Sequence, residues 1–147
     1  MPLIHLTAPE GALTRQGRAN VQQDLARTLL RWEGAPDTDF FRAQAWARLE
    51  ETPEGALTTA GDDQTRFLVQ VTVPEGALSD RRKSGLVRTV TEVVLDAAGL
   101  SQDQALRVWV LVGEQADGTW GAGGSIIRYA DLAAMAEAGT RTGGDDA

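Results

Sequence analysis

The chain has 147 residues, 42% of them hydrophobic and 24% charged, which is typical of one soluble globular domain. A formal net charge of −7 makes the surface repel phosphate backbones, so we expect no nucleic-acid partner. The chain has no cysteine and a single histidine, His5, so disulfides, thiolate chemistry and a histidine-based metal centre are excluded.

The first part of the chain predicts a strand, a helix and a second strand. Residues 3–8 (LIHLTA) are aliphatic and β-branched, as in a strand, and FFRAQAWARLE (40–50) is assigned to the second strand. Between them, residues 14–33 form a predicted helix, with Thr14 at its N-cap and Gly34 at its end. An apolar stripe follows the helical period through Val21, Leu25, Leu29 and Trp32.

The second part of the chain repeats this pattern. Residues 7–34 align without gaps with residues 72–99, and the string PEGAL occurs at the same place in both copies. A third PEGAL, at 53–57, falls in a turn after the second strand and is not a repeat equivalent. The repeat predicts three further elements: a strand over 67–73, a helix over 79–98 and a strand over 107–112.

We therefore expect an α/β (α+β) fold of two tandem β-α-β repeats. The strands of each unit pair in parallel, and the two units give a four-stranded sheet with two helices on one face. The opposite sheet face is expected to be apolar and uncovered, which predicts an oligomer. Candidates for that face are Ile4, Leu6, Val69 and Val71.

A single domain over residues 1–138 is predicted. Repeat one covers 1–62, repeat two 63–128, a short C-terminal helix 129–138, and a disordered tail 139–147. No apolar run approaches the roughly 20 residues of a membrane span, and the first residues lack the regions of a signal peptide. We expect a cytoplasmic protein without a membrane partner.

Pro2 is the strongest candidate for a catalytic residue. Removal of an initiator methionine before a small residue would leave its nitrogen as a free secondary amine at the tip of the first strand. An ordinary α-amine has a pKa of about 7.7–8.0, and burial among apolar groups disfavours the charged form and lowers that value. An amine lowered in this way can act as a general base at neutral pH.

The N-terminal proline, the doubled β-α-β pattern and a late hairpin motif together resemble the tautomerase superfamily, of which 4-oxalocrotonate tautomerase is the simplest type. The motif is Glu114-x5-Trp120-Gly121-x-Gly123-Gly124. The resemblance covers residues 1–132 and implies a fused two-repeat member, a trimeric barrel-like assembly and catalysis without a cofactor. It also implies that Pro2 is catalytic and that Trp120 walls its pocket.

Other positions match the family less well. The arginine that opens the second strand in 4-oxalocrotonate tautomerase is Trp109 here, so a two-carboxylate substrate is not favoured. Leu111 and Ala122 replace the tyrosine and glutamate of the dehalogenase relatives, which argues against dehalogenation. The loop at 35–41 resembles that of malonate semialdehyde decarboxylase, in which an aspartate takes part in catalysis. Asp39 matches that aspartate.

The resulting expectation is a keto-enol tautomerase acting on a small enol or 2-oxo acid, with Pro2 as general base. Arg42, Arg128 or backbone N–H groups are candidates to hold the enolate oxygen, and Trp109 and Trp120 to contact the substrate. One alternative is a hydratase or decarboxylase in which protonated Pro2 is an acid and Asp39 assists water. Another is a non-catalytic trimeric binding protein. We expect a homotrimer, with no metal and no cofactor.

Overall fold

The computed structural model of the chain describes residues 1–142. The four main strands are β1 (Leu3–Pro9), β2 (Trp46–Thr52), β3 (Phe67–Pro74) and β4 (Val108–Gln115). The helices are α1 (Arg15–Glu33), the short α2 (Asp39–Gln44), α3 (Asp80–Ala97) and α4 (Tyr129–Thr142), with a 3-10 helix at Gln102–Arg107. A small hairpin pairs β5 (Gly121–Ala122) with β6 (Ser125–Ile126).

The main sheet has the strand order β2-β1-β3-β4. Within each repeat the strands are parallel, β1 with β2 and β3 with β4. The two repeats meet through the antiparallel pair of β1 and β3, in which Leu3 lies opposite Thr72. The start of β1 is therefore beside the end of β3. The predicted architecture, a four-stranded sheet with two long helices on one face, is confirmed.

The core lies between the sheet and the helices α1 and α3. Val21, Leu25 and Leu29 of α1 and Leu86, Val90 and Val94 of α3 are almost fully buried. They pack against the alternate strand residues Ile4, Leu6, Val69 and Val71. The prediction that these four strand residues form the uncovered face is thus wrong. Both faces of the central strands contain aliphatic residues, so alternation alone did not assign them to a side.

The uncovered face is carried by the opposite residues of each strand. Its central positions are His5 and Gln70, which are paired neighbours in β1 and β3. Its corners are more apolar: Trp46 lies beside Leu3 on one side and Trp109 beside Leu68 on the other. Trp46 and Trp109 are 66% and 68% exposed. An oligomer is still favoured, through a different set of residues.

Two further differences concern element boundaries. The strand predicted over 40–50 starts only at Trp46, because residues 39–44 form α2, capped by the Thr38 hydroxyl that accepts the Phe41 N–H. The C-terminal helix predicted over 129–138 continues to Thr142, so residues 139–142 of the predicted disordered tail are helical. The rest of that tail, 143–147, lies outside the described residues.

Candidate functional site

The start of β1 opens into a small cavity of about 80 Å³. The cavity lies at the end of α1, beside α2 and the turn after β3, and α4 closes one side of it. Most of its lining is apolar, and the complete set is Met1, Glu33, Gly34, Ala35, Phe41, Pro74, Ala77, Tyr129, Leu132, Ala133 and Ala136. The antiparallel pairing of β1 with β3 explains why Pro74 and Ala77 lie next to the first residues.

Pro2 is buried at the entrance to β1. Its carbonyl oxygen accepts a hydrogen bond from the Trp46 N–H at 3.1 Å, which fixes the first residue pair of the parallel sheet. Its parity is that of Ile4 and Leu6, so it faces the helices, whereas His5 faces the uncovered side. In the chain with Met1 present, the Pro2 nitrogen is an amide and the free amine belongs to Met1.

The amine in this cavity is electrostatically perturbed. Burial lowers the pKa of the Met1 amine from its ordinary value of 8.0, while the nearby Glu33 carboxylate acts in the opposite direction. Burial also raises the pKa of Glu33 from 4.5 to about 7, against the opposing charge of the amine. The cavity therefore contains an amine whose pKa is lowered by burial and a carboxyl group whose pKa is raised to about 7.

Glu33 was not predicted as a site residue. It is the last residue of α1, which ends at Gly34 in the left-handed conformation (φ 71°). One signal in the sequence could have identified it. A carboxylate in the last turn of a helix opposes the helix dipole, and such a placement invites a functional explanation. Phe41, Tyr129 and Leu132, which also line the cavity, had no comparable signal.

Asp39 and Arg42 lie on α2, next to the cavity but outside its lining. The Asp39 side chain is fully exposed, and its Oδ1 is 3.3 Å from Arg42 Nη2. Arg42 also lies 3.5 Å from Asp37. With Arg27, Arg31 and Asp37 it lines an open recess of about 530 Å³, which shares Gly34 and Ala35 with the cavity. The recess that Arg42 lines is therefore adjacent to the cavity that contains the N-terminal amine.

Trp120 and Arg128 flank the β5–β6 hairpin. Trp120 is half-buried before the β5–β6 hairpin, where its carbonyl accepts the Ile127 N–H at 2.8 Å. Arg128 Nη1 is 3.4 Å from Asp117, and the backbone N–H of Tyr129 donates to the same carboxylate. Neither Trp120 nor Arg128 lines the N-terminal cavity.

Trp109 belongs to the opposite end of the sheet. It lines a separate recess of about 400 Å³ together with Phe67, the second-repeat counterpart of Pro2. Phe67 starts β3, and the antiparallel arrangement places the start of β3 away from the start of β1. A single chain therefore does not bring Trp109 and Pro2 together.

Within residues 1–142, no group of three His, Cys, Asp or Glu side chains is arranged to hold a metal ion. No helix in that part of the chain combines the length and apolar character needed to cross a membrane. The chemistry that the cavity offers directly is proton transfer, because an amine and a carboxyl group face a small and mostly apolar space.

Comparisons with known proteins agree with this architecture. The family model described as tautomerase enzyme matches residues 68–129, which lie within the second repeat. No curated protein matches the sequence significantly. Many solved structures share the fold, and three of them, all of low sequence identity, serve as examples.

The symmetric trimer of Q0, a wild-type fused 4-OT, is 20% identical with a TM-score of 0.68, over 92% of this chain and 98% of that one. Pt0534, inactivated by 2-oxo-3-pentynoate, is 19% identical with a TM-score of 0.71, over 84% and 94%. N1, a member of the cis-3-chloroacrylic acid dehalogenase family, is 20% identical with a TM-score of 0.70, over 85% and 82%. The tautomerase family model thus matches the second repeat, and the fold of both repeats together is that of these solved structures.

Proposed function

We propose that the protein is a cofactor-independent tautomerase that uses the Pro2 amine, freed by removal of Met1, as a general base on a small enol or 2-oxo acid. The observation that carries the proposal is the burial of the chain start in a mostly apolar cavity, where desolvation lowers the pKa of an amine. Removing Met1 moves the free amine along the chain by one residue, or about 3.8 Å between Cα atoms. It also enlarges the space for a ligand.

The proposed reaction is a proton shift between two atoms of the substrate. The lone pair of the unprotonated Pro2 nitrogen takes a proton from the enol hydroxyl or from the carbon next to the carbonyl. The electron pair left behind delocalises over the enolate, and a proton then returns at the other position, so that atoms and charge balance.

The developing enolate oxygen needs a donor. Of the two predicted arginines, Arg42 has the better position, because its recess shares Gly34 and Ala35 with the cavity. Arg128 is held by Asp117 outside that lining. We therefore assign the enolate donor to Arg42 in the first instance. An oligomer could add Trp120 or Arg128 from another subunit.

Two alternatives receive less support. A hydratase or decarboxylase mechanism requires Asp39 to act on water in the site, but its carboxylate is fully exposed and paired with Arg42. A non-catalytic binding protein would have no use for a buried terminal amine, and this alternative leaves the lowered pKa of that amine unexplained.

We also propose a homotrimer with the uncovered sheet faces turned inward. The apolar corners formed by Leu3 with Trp46 and Leu68 with Trp109 supply surface to bury. Fused 4-OT proteins with this fold are described as trimers.

The test combines the chemical state of the N-terminus with turnover. Mass spectrometry of the purified protein should show loss of Met1, and phenylenolpyruvate should ketonise with a rate that rises with pH through the amine pKa. Pro2→Ala should lower kcat/KM by about 10²–10⁴-fold, the usual contribution of a general base. Ser84→Ala, on the exposed side of α3, serves as the matched control and should leave the rate unchanged.

A second probe uses 2-oxo-3-pentynoate, which inactivates the similarly folded Pt0534. We expect inactivation together with one covalent adduct on the peptide that begins with Pro2. Retention of Met1 in the purified cellular protein, or equal rates for the wild type and Pro2→Ala, would refute the base mechanism.

A further inference from the structure

Glu33 is the carboxyl group of the N-terminal cavity. Apart from this residue, Tyr129 and the terminal amine, the lining consists of glycine and apolar side chains. Among the described residues, the Glu33 carboxylate makes no hydrogen bond and no ion pair within 4.0 Å, with the terminal amine or with any other group. Met1 and Glu33 therefore line the same cavity and their charged groups interact across it without forming an ion pair.

We propose that Glu33 is a second catalytic residue, which exchanges a proton with the substrate at the position opposite Pro2. This inference rests on the proposed tautomerase function. In the reactive state Pro2 is an unprotonated amine and Glu33 is a carboxylic acid. Pro2 takes a proton from one end of the enol system, and Glu33 donates its own proton to the other end.

The products of this step are protonated Pro2, carboxylate Glu33 and the isomerised substrate, so charge and protons balance. Transfer of one proton from the ammonium to the carboxylate, through water in the emptied cavity, restores the starting state. Two groups acting on opposite ends avoid the need for a single amine to carry the proton from one atom of the substrate to the other.

The titratable and charged groups around Glu33 come from four elements of the chain. Met1, which precedes β1, lines the same cavity, and so does Tyr129 of α4. From α3, Arg82 Nη1 donates to the Glu33 backbone oxygen at 3.1 Å and so binds the carbonyl rather than the carboxylate. Arg31 on α1 and Arg42 on α2 line the adjacent recess.

Burial raises the pKa of Glu33 to about 7, so the carboxyl group can hold its proton at neutral pH. The same burial lowers the pKa of the terminal amine. Strongly interacting groups of this kind titrate as a pair, and the state with one proton on the pair is the reactive one. The pH profile of kcat/KM should therefore be bell-shaped, rising as the amine loses its proton and falling as Glu33 loses its own.

The experiment compares Glu33→Gln with Glu10→Gln, which makes the same chemical change at an exposed turn residue. With phenylenolpyruvate, Glu33→Gln should lower kcat by about 10²-fold or more and abolish the falling limb at high pH. Glu33→Asp should recover part of the rate and restore that limb. Glu10→Gln should behave as the wild type in both respects.

A second readout does not depend on turnover. In protein labelled with ¹⁵N-proline, NMR titration of the terminal amine should give a lower pKa in Glu33→Gln than in the wild type, because a nearby carboxylate stabilises the ammonium form. A kcat within threefold of the wild type, or an unchanged amine pKa, would each overturn the role of Glu33. If the proposed function itself is wrong, Pro2→Ala and the wild type give equal rates; loss of activity in Pro2→Ala but not in Glu33→Gln rejects Glu33 alone.

Discussion

Gly17 lies where the start of α1 meets the end of α3. A Cβ atom built on Gly17 would lie 2.0 Å from the carbonyl oxygen of Ala97, which belongs to the backbone and cannot rotate away. We therefore expect Gly17→Ala to lower the free energy of unfolding by about 2–3 kcal/mol, despite the better helix propensity of alanine. Urea denaturation monitored by circular dichroism measures this difference.

The matched control for Gly17→Ala is Gly61→Ala. Nothing lies within 4 Å of a Cβ at Gly61, and its φ is not in the left-handed range. The free energy of unfolding should stay within about 0.5 kcal/mol of the wild type. Equal stability of the two variants would show that α1 and α3 are not in close contact at this point.

The raised pKa of Glu33 also predicts how the free energy of unfolding depends on pH. Because burial raises its pKa in the folded state from 4.5 to about 7, the folded protein holds more protons than the unfolded chain between those values. Its contribution to stability therefore falls as pH rises through this window, by at most about 3 kcal/mol. Glu33→Gln removes the titration, so we expect the variant to be about 1–3 kcal/mol more stable than the wild type at pH 8.

At pH 4.5 the two proteins should differ little in stability, because Glu33 is then protonated in the folded state and already about half protonated in the unfolded chain. Urea denaturation at pH 4.5 and pH 8 tests the difference. A stability gap that is independent of pH would mean that Glu33 is well solvated and does not titrate near neutrality.

At the residue scale, the sequence indicates Pro2 but not its surroundings. The proline is visible because it follows Met1 and precedes a strand. Glu33 is 31 positions away, and it reaches the same cavity only because α1 returns along the sheet to the start of β1. Contacts that depend on helix length and direction cannot be seen in local residue patterns.

At the scale of elements, the start of α1 is tied to the end of α3 through Thr14. The Thr14 hydroxyl accepts the Gly17 N–H at 2.9 Å and donates to the Ala97 carbonyl, whose oxygen is 3.2 Å away. The equivalent residue Ser79 caps α3 alone, accepting the Arg82 N–H at 3.3 Å. We expect Thr14→Ala to cost about 1–2 kcal/mol and Ser79→Ala about 0.5–1 kcal/mol.

The two cap variants are compared by thermal and urea unfolding, with Thr14→Ser as the conservative control. Serine keeps both hydrogen bonds, so most of the lost stability should return. If Thr14→Ala and Ser79→Ala lose the same amount, the bond to Ala97 contributes nothing beyond an ordinary cap.

The short helix α2 shows where reasoning from local patterns fails. Two adjacent phenylalanines favoured a strand, because aromatic residues are frequent in strands. In the structure Phe40 and Phe41 are perpendicular with ring centroids 5.3 Å apart, and only Phe41 is buried. The cap at Thr38 and the acidic Asp39 in the first turn are helix signals, but six residues are too few to show a helical period.

At the scale of the whole molecule, the repeat made the fold predictable, since two β-α-β units can share one sheet in few ways. Aliphatic residues alone did not predict which strand residues face the helices and which form the uncovered face. The polar positions contained the better signal: His5 and Gln70 share the uncovered face, opposite to Ile4, Leu6, Val69 and Val71.

The proposed assembly predicts that a charge on the uncovered face dissociates the protein. Trp109→Glu places a carboxylate at an apolar corner, and we expect the trimer mass in analytical ultracentrifugation to change to that of the monomer. Ser84→Glu adds the same charge on the exposed side of α3 and should remain trimeric. A trimer in both variants would place the interface elsewhere.

The antiparallel pairing of β1 with β3 relates the two repeats by an approximate half-turn, so each end of the sheet receives the first residue of one repeat. The covalent connection between them is the segment 53–66, and the sheet and core hold the halves together without it. The gene can therefore be divided within that segment, so that the second polypeptide begins with Met-Pro in place of Arg66-Phe67. We expect the two polypeptides to associate. After removal of its methionine, each polypeptide would begin with a proline, and the molecule would have a secondary amine at both ends of the sheet.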